Sequence, residues 1–285
     1  RRRRMRRYLP AIVLLTPALV VLTVFFFAPM ATSLLYSFGD YSGIGLFRWV
    51  GFENYAEILG DPRFQQASLN TVIFAVVTMT IGPLLGLGSA LLLNRQIPGR
   101  AFFRAVYFLP VTASLVVVST LWKLLLNQNG VINTALESVG LHGHDWLSDP
   151  STALLAVSAA SIWQGFGFET VVFLAALQSI PAELIEAARM DGAGPLRRFA
   201  AVTLPALRPT TLFVFIVGVI GAFQAFDQVY VMTQGGPVGS TTTVVFYLVD
   251  RFRSLDLGHA SAAAYLLVAV LVVISVIQFR IARER

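Results

Sequence analysis

Long apolar segments separated by short polar stretches dominate the pattern of this chain. Each apolar segment holds about 20 residues or more, the length that a helix needs to cross the ~30 Å hydrocarbon core of a bilayer. A helix is expected because lipid cannot satisfy free backbone groups. The pattern therefore predicts an all-α integral membrane protein with six transmembrane helices. Their approximate bounds are 10–36, 67–93, 104–126, 151–178, 209–232 and 260–279.

Prolines inside these segments do not exclude the assignment. Pro17, Pro29, Pro83 and Pro110 each remove one backbone donor, but neighbouring helices can satisfy the freed carbonyl groups. The first segment is longer than the apolar core of a signal peptide and lacks a small-residue cleavage site after it. We therefore expect it to be a true membrane span.

The polar stretches complete the predicted organisation. It comprises a basic tail (1–9), the first span, an external loop (37–66), a core with helices two to six (67–280) that contains the loop 179–208, and a second tail (281–285). In the external loop, "GFENYAEILGDPRFQQ" predicts a short amphipathic helix that is capped near Asn54 and ends near Asp61 and Pro62. The stretch "NQNGVINTALESVGLHGHDWLSDP" has room for another.

The distribution of basic residues predicts the orientation. Of 21 Lys and Arg residues, 16 lie in the N-terminal tail, the 94–104 loop, the 179–208 loop and the residues after the sixth span, 280–285. Short loops rich in Lys and Arg stay in the cytoplasm. Both termini and the 179–208 loop are therefore expected on the cytoplasmic side of a bacterial inner membrane. Charge divided among loops on one face also argues against nucleic acid as a partner, and membrane lipid is expected next to the basic tail.

Composition narrows the chemistry that this chain can perform. The chain has no cysteine, 13% charged residues, and a single lysine, Lys123, outside any phosphate-binding glycine motif. His142, His144 and Asp145 form a cluster typical of a solvated external loop rather than of a metal site. No catalytic arrangement of side chains is present, so we expect no enzymatic activity, no metal and no cofactor in this chain.

The stretch "EAARMDGAGPLRRFAAVTLPALRP" concentrates charge, glycine and proline between two apolar segments. A helix is predicted from Pro181, Gly192 and Gly194 are expected to end it in a tight turn, and Pro195 begins a second helix. Leu196, Phe199 and Val202 would share one face of that second helix, which Pro205 and Pro209 would end. The small alanines at the tip favour close docking of another protein over a helix lying in the lipid headgroups.

The same stretch resembles the EAA loop of ABC importer permeases, the membrane subunits of binding-protein-dependent transporters. The matching positions are Glu186–Ala188, Asp191–Ala193, Phe199 and Leu204–Pro205. Further similarity to the sugar-importing, maltose-type branch lies in "GFENY" (51–55), "LPVTAS" (109–114) and "FDQVYVMTQGGP" (226–237). The resemblance covers nearly the whole chain and implies a type I ABC importer permease fold.

The resemblance also implies partners and a mechanism. Expected partners are a second homologous permease subunit, two copies of a cytoplasmic subunit that binds ATP and magnesium, and an extracytoplasmic solute-binding protein. The loop would form a coupling helix that transmits closure of the ATPases to the spans. The residues expected to couple are Glu186, Ala187, Ala188, Asp191, Gly192 and Ala193.

Polar and aromatic side chains inside the spans are candidates for the substrate path, since amide, carboxyl and aromatic groups suit sugars. Gln224, Asp227 and Tyr230 are three residues apart and would share one helical face. Phe168 lies four residues after Gln164 on another span. The candidates are Gln164, Phe168, Glu169, Gln224, Asp227 and Tyr230. The alternative interpretation is that these groups join span to span.

The resulting hypothesis is a permease subunit that imports a sugar or related polar solute, with ATP hydrolysed by a separate subunit. One alternative is a glycerophosphodiester, glycerol-phosphate or polyol importer of the same family. A second is a secondary transporter that works alone, which predicts internal symmetry and intramembrane charges for a proton relay; neither is evident in the sequence.

Overall fold

The computed structural model describes residues 14–95 and 98–283. The basic tail (1–9), the start of the first predicted span (10–13) and the end of the second tail (284–285) lie outside the described residues. Helices make up nearly all of the regular structure. In chain order the elements are α1 (Leu14–Tyr36), β1 (Gly39–Asp40), β2 (Arg48–Trp49), α2 (Glu53–Gly60), α3 (Pro62–Leu93), α4 (Arg100–Thr112), α5 (Leu115–Leu125), α6 (Val131–Ser138), α7 (Ala153–Gln178), α8 (Ala182–Met190), α9 (Pro195–Ala206), α10 (Arg208–Phe223), α11 (Asp227–Met232), α12 (Val244–Arg253) and α13 (Leu257–Arg283).

Four helices are long and apolar enough to cross a membrane: α1, α3, α7 and α13. They confirm the first, second, fourth and sixth predicted spans. The second span begins earlier than expected, because α3 continues N-terminally to Pro62 through polar residues. A proline fits the first turn of a helix, where its missing N–H is not needed. The predicted external helices are also present, as α2 and α6.

The third predicted span is not one straight helix. α4 and α5 meet at an angle of 99°, and Ala113 and Ser114 between them are extended, with ψ values of 146° and 134°. The Ala113 carbonyl thereby leaves the helical pattern and accepts a hydrogen bond from Gln164 Nε2 at 3.3 Å. A side chain of another helix therefore replaces the backbone donor that the bend removes.

The fifth predicted span, 209–232, starts where expected, at Arg208, but its predicted C-terminal end is wrong. α10 ends at Phe223 and forms a bent pair with α9, at 62°, instead of running on to 232. The freed Ala225 carbonyl accepts a hydrogen bond from Thr243 Oγ1 at 2.7 Å, which lets the chain leave the helix while buried. With each bent pair counted as one span, the described residues hold up to six candidate spans, as predicted.

The chain is divided into two compact units. The first comprises the described residues up to Asp61 together with Leu248–Leu266. In this unit β1 and β2 pair antiparallel after α1. The sequence predicted that Asn54 would cap α2, but its side chain does not do so. Its Nδ2 instead donates to the carbonyl groups of Ser37 and Gly39, each at 3.0 Å. The unit also contains an ion-pair network in which Arg251 joins Asp61 at 2.7 Å and Asp256 at 3.2 Å.

The second unit comprises Pro62–Tyr247 and the remainder of the chain from Leu267. α3 and α7 pack along each other in its centre, with α4 against α7 and α10 against α3. Glycines allow the close approaches: a Cβ on Gly167 would collide with the Tyr107 carbonyl of α4. Apolar clusters fill the interior, one of them around Phe74, Val157 and Val229.

Candidate functional site

A cavity of about 290 Å³ lies in the second unit, with α3, α7 and α10 supplying most of its lining. Most of the lining side chains are apolar or small, among them Phe74, Met79, Val214 and Val217. A few polar groups interrupt that surface: Thr78, Ser161, Gln164, Glu169 and Gln228. An apolar hollow with a small number of polar groups is the usual form of a small-molecule site.

Glu169 is the acidic residue of this cavity, and the packing of α7 on α3 positions it. Its side chain is buried beside Gly82 and Gly86 of α3, where any larger residue would occupy the space of the carboxyl group or its stem. Its Oε2 atom is buried and has no hydrogen-bond partner among the described residues. A buried polar atom without a partner is rare in a folded protein and points to a ligand or water.

Gln228 is a second buried polar residue in the lining, and the sequence reasoning missed it. It lies on α11, and its Oε1 atom is also buried without a hydrogen-bond partner among the described residues. Gln228 and Asp227 are adjacent polar residues, and nothing in the local sequence indicates which of the two faces inward. Only the separation of α11 from α10 turns Gln228 inward and leaves Asp227 exposed.

Three predicted substrate-path residues of α7 line the cavity: Gln164, Phe168 and Glu169. The amide of Gln164 is held by its bond to the Ala113 carbonyl at the bend between α4 and α5. The structure thus brings three of the six path candidates together. They come from one and a half turns of one helix, since 164, 168 and 169 follow helical spacing.

Gln224, Asp227 and Tyr230 were expected to share one helical face, and this prediction is wrong. Gln224 directly follows α10, whereas Asp227 and Tyr230 belong to α11 after a break. All three are exposed and do not line the cavity. The Tyr230 ring stacks on Phe226, with ring centroids 5.4 Å apart.

The predicted helix–turn–helix of the charged stretch is confirmed, as α8 and α9. The Gly192 amide donates to the Arg189 carbonyl and the Ala193 amide to the Ala188 carbonyl, both at 3.0 Å. Gly192 has a φ of +74°. This pair of bonds across a left-handed glycine is the Schellman motif, which satisfies the last carbonyl groups of α8.

The tip of this hairpin is exposed to solvent. The six predicted coupling residues all belong to α8 or the turn after it: Glu186, Ala187, Ala188, Asp191, Gly192 and Ala193. Two apolar side chains that sequence reasoning did not single out are nearly free of contacts, Met190 at 88% and Leu196 at 85% exposure. Leu196 was predicted to share a face with Phe199 and Val202; it is exposed, whereas those two side chains are partly buried.

The His-Asp cluster of the loop predicted to be external forms local hydrogen bonds. His144 Nε2 lies 3.2 Å from Thr152 Oγ1 and 3.3 Å from Asp149 Oδ2. Hydrogen bonds from the Ser151 side chain and backbone, with a smaller effect of His144, lower the pKa of Asp149. Among the described residues no group of three or more His, Cys, Asp and Glu is arranged to hold a metal ion.

Comparison with known proteins adds independent findings. Residues 82–284 match the family model described as binding-protein-dependent transport system inner membrane component. The chain is 38% identical to a lactose transport system permease protein of Rhizobium radiobacter, over 94% of this chain and 92% of that protein. It is 34% identical to an sn-glycerol-3-phosphate transport system permease protein of Pectobacterium atrosepticum, over 96% and 94%.

The fold has a close counterpart among solved structures. A bacterial ABC transporter involved in the import of the acidic polysaccharide alginate contains a chain that matches with a TM-score of 0.88. That match covers 99% of this chain and 98% of the other, at 23% sequence identity. The fold is therefore that of a type I ABC importer permease.

Proposed function

The chain belongs to the family of inner membrane components of binding-protein-dependent transport systems, and we propose that it forms the path for a sugar or sugar-like polar solute. The observation that carries the cargo class is the cavity with two buried oxygen atoms, on Glu169 and Gln228, that have no hydrogen-bond partner in the part of the chain that the structure describes. Carboxyl and amide oxygens accept hydrogen bonds from hydroxyl groups, and Phe168 offers an aromatic surface. The lactose permease relative supports the same class.

A sugar fits this cavity better than glycerol phosphate, the cargo that the name of another relative gives. Among the described residues that line the cavity none is Lys or Arg. A phosphate group would meet the carboxyl group of Glu169 with no cation nearby, although phosphate sites normally supply Arg, Lys or backbone amides. The neutral hydroxyl groups of a sugar or polyol carry no such penalty.

The hairpin of α8 and α9 is proposed to dock on a separate cytoplasmic ATPase subunit, which binds ATP and magnesium. Its support is the exposed tip, fixed by the Gly192 turn and flanked by Met190 and Leu196. Glu186 and Asp191 offer charges, while the alanines allow close approach. Moving a two-state element from 1:99 to 99:1 takes about 5.5 kcal/mol, so this contact must be firm enough to transmit closure.

The assembly proposed around this chain contains a second permease subunit, two ATPase subunits and an extracytoplasmic solute-binding protein. Both termini and the hairpin face the cytoplasm, because 16 of the 21 basic residues lie on that side of the predicted topology. This orientation places the exposed hairpin where a soluble ATPase can reach it.

Reconstitution tests the function directly. The full chain, co-purified with its partner subunits and placed in proteoliposomes with the binding protein, is expected to take up labelled sugar only with ATP. Glycerol 3-phosphate serves as the matched anionic cargo and is expected to give little uptake. ATP-independent uptake by the chain alone would instead establish a secondary transporter, and preferential uptake of glycerol 3-phosphate would overturn the sugar assignment.

A further inference from the structure

Two arginines of α4 converge on one side chain of α7. With the Gln178 amide turned so that its oxygen faces them, that oxygen accepts a hydrogen bond from Arg104 Nη2 at 2.8 Å and another from Arg100 Nη2. The Nε atoms of both arginines are buried and have no hydrogen-bond partner among the described residues. Two guanidinium groups thus meet at a single neutral oxygen.

This arrangement lacks a negative charge. No Asp or Glu of the described residues forms an ion pair with Arg100 or Arg104. Like charges at this separation repel, and an amide oxygen cannot neutralise them. Arg100 is also the first residue of α4, where the helix dipole disfavours positive charge. An anion bound beside the two guanidinium groups would remove both penalties.

The surroundings identify the kind of anion. Exposed apolar side chains alternate with the arginines along α4, namely Phe102, Phe103 and Val106. Gln178 is the last residue of the membrane-spanning helix α7, so the pair lies at the end of a span. A basic pair at a span end, next to apolar side chains, presents charge at headgroup depth and apolar surface at the depth of acyl chains.

We propose that Arg100 and Arg104 bind the phosphate group of an anionic phospholipid, with Gln178 holding the two guanidinium groups in position. Arginine forks match phosphate oxygens in paired hydrogen bonds, which a lysine cannot reproduce. The site is separate from the cavity around Glu169, so it does not depend on the cargo. It lies immediately before α8 in the chain and would anchor the end of α7 from which the hairpin departs.

Native mass spectrometry of the full chain in detergent tests this site. Phosphatidylglycerol and phosphatidylcholine are added in equal amounts, and retained lipid is counted. Wild-type protein is expected to retain phosphatidylglycerol in preference. The variant R100Q/R104Q is expected to lose about thirtyfold in affinity, since each basic residue near an anionic surface contributes a factor of about five. The exposed R280Q variant is the matched control and should lose no more than about fivefold.

Each other outcome overturns the proposal. Equal retention of the two lipids by the wild type would do so without any variant, even if R100Q/R104Q failed to fold. Unchanged phosphatidylglycerol retention in R100Q/R104Q, together with loss of the co-purifying ATPase subunit, would assign the arginines to a protein carboxylate. Displacement of the lipid by millimolar inorganic phosphate would make this a site for the free ion.

The phosphatidylglycerol affinity of R100K/R104K should fall between those of the wild type and R100Q/R104Q. Lysine keeps the positive charge but loses the paired hydrogen bonds of the guanidinium group.

Discussion

Glu169 of α7 lies against Gly82 of α3 so closely that a Cβ on Gly82 would come within 3.0 Å of Glu169 Oε2. Four residues later, a Cβ on Gly86 would lie 2.7 Å from the Glu169 Cβ. The two glycines therefore leave space on the surface of α3 that the Glu169 side chain occupies. The carboxyl group lines the cavity, and its Oε2 atom has no hydrogen-bond partner among the described residues.

Gly86→Ala is expected to destabilise the protein by about 1–3 kcal/mol, because overpacking forces the helices apart. The methyl group would meet the Cβ and backbone of Glu169, which cannot swing away as a side-chain end can. Thermal unfolding of the purified chain in detergent measures the change. Gly88→Ala on the same helix is the matched control, since nothing lies within 4 Å of its added Cβ. A similar loss for both variants would contradict the packing argument.

Glu169→Gln and Gln228→Leu are expected to reduce sugar uptake by about tenfold or more, because a hydrogen bond to a charged or buried group contributes about 1.5 kcal/mol or more. Initial rates in proteoliposomes measure this effect. The comparison variant is Q224L/D227A, which changes two polar residues outside the cavity and is expected to retain more uptake. A greater loss in Q224L/D227A would move the cargo contact to the exposed segment between α10 and α11.

Gly192→Ala is expected to lower the amount of sugar imported per ATP hydrolysed, since a non-glycine residue at φ +74° costs about 1 kcal/mol and shifts the hairpin tip. Gly140→Ala is the matched control. Gly140 ends α6 with a φ of +82° and the same pair of closing hydrogen bonds, but it lies outside the hairpin, in a loop predicted to be external. Both variants should lose similar stability, and only Gly192→Ala should uncouple transport.

Glu186→Arg tests the docking charge without changing the backbone. Glu186 is exposed on α8, so charge reversal is expected to leave membrane insertion intact and weaken the proposed ATPase contact. Co-purification of the ATPase subunit and the ratio of uptake to hydrolysis are the measurements. Normal values of both would refute the assignment of the hairpin as the coupling element.

Arg251→Gln is expected to destabilise the first unit by about 1–3 kcal/mol, because it removes the guanidinium group that bonds two partly buried carboxyl groups, Asp61 and Asp256. Arg48→Gln is the control: Arg48 and Asp40 form a pair whose side chains are 74% and 63% exposed, and such pairs contribute less than about 1 kcal/mol. Resistance to proteolysis between α1 and α3 reports the difference. Equal effects would show that the network adds nothing beyond a surface pair.

Local patterns determined the features that depend on neighbouring residues in the chain. The lengths of the apolar segments placed four spans, since a helix that crosses lipid must be long and apolar throughout. The glycine after α8 marked the turn, because only the left-handed region closes a Schellman motif there. Gln164, Phe168 and Glu169 were found together for the same reason: one helix carries all three.

Contacts between distant residues decided what the pattern could not. The bend after Thr112 and the break after Phe223 depend on Gln164 and Thr243, which bond the freed carbonyl groups from other elements. The inward position of Gln228 and the meeting of Arg104 with Gln178 likewise arise only when helices pack. The sequence by itself determined that this chain spans a membrane and carries a glycine-closed hairpin. Only the tertiary structure decided where its helices break and which polar groups face the cavity, because packing between helices selects the partner of each freed backbone group.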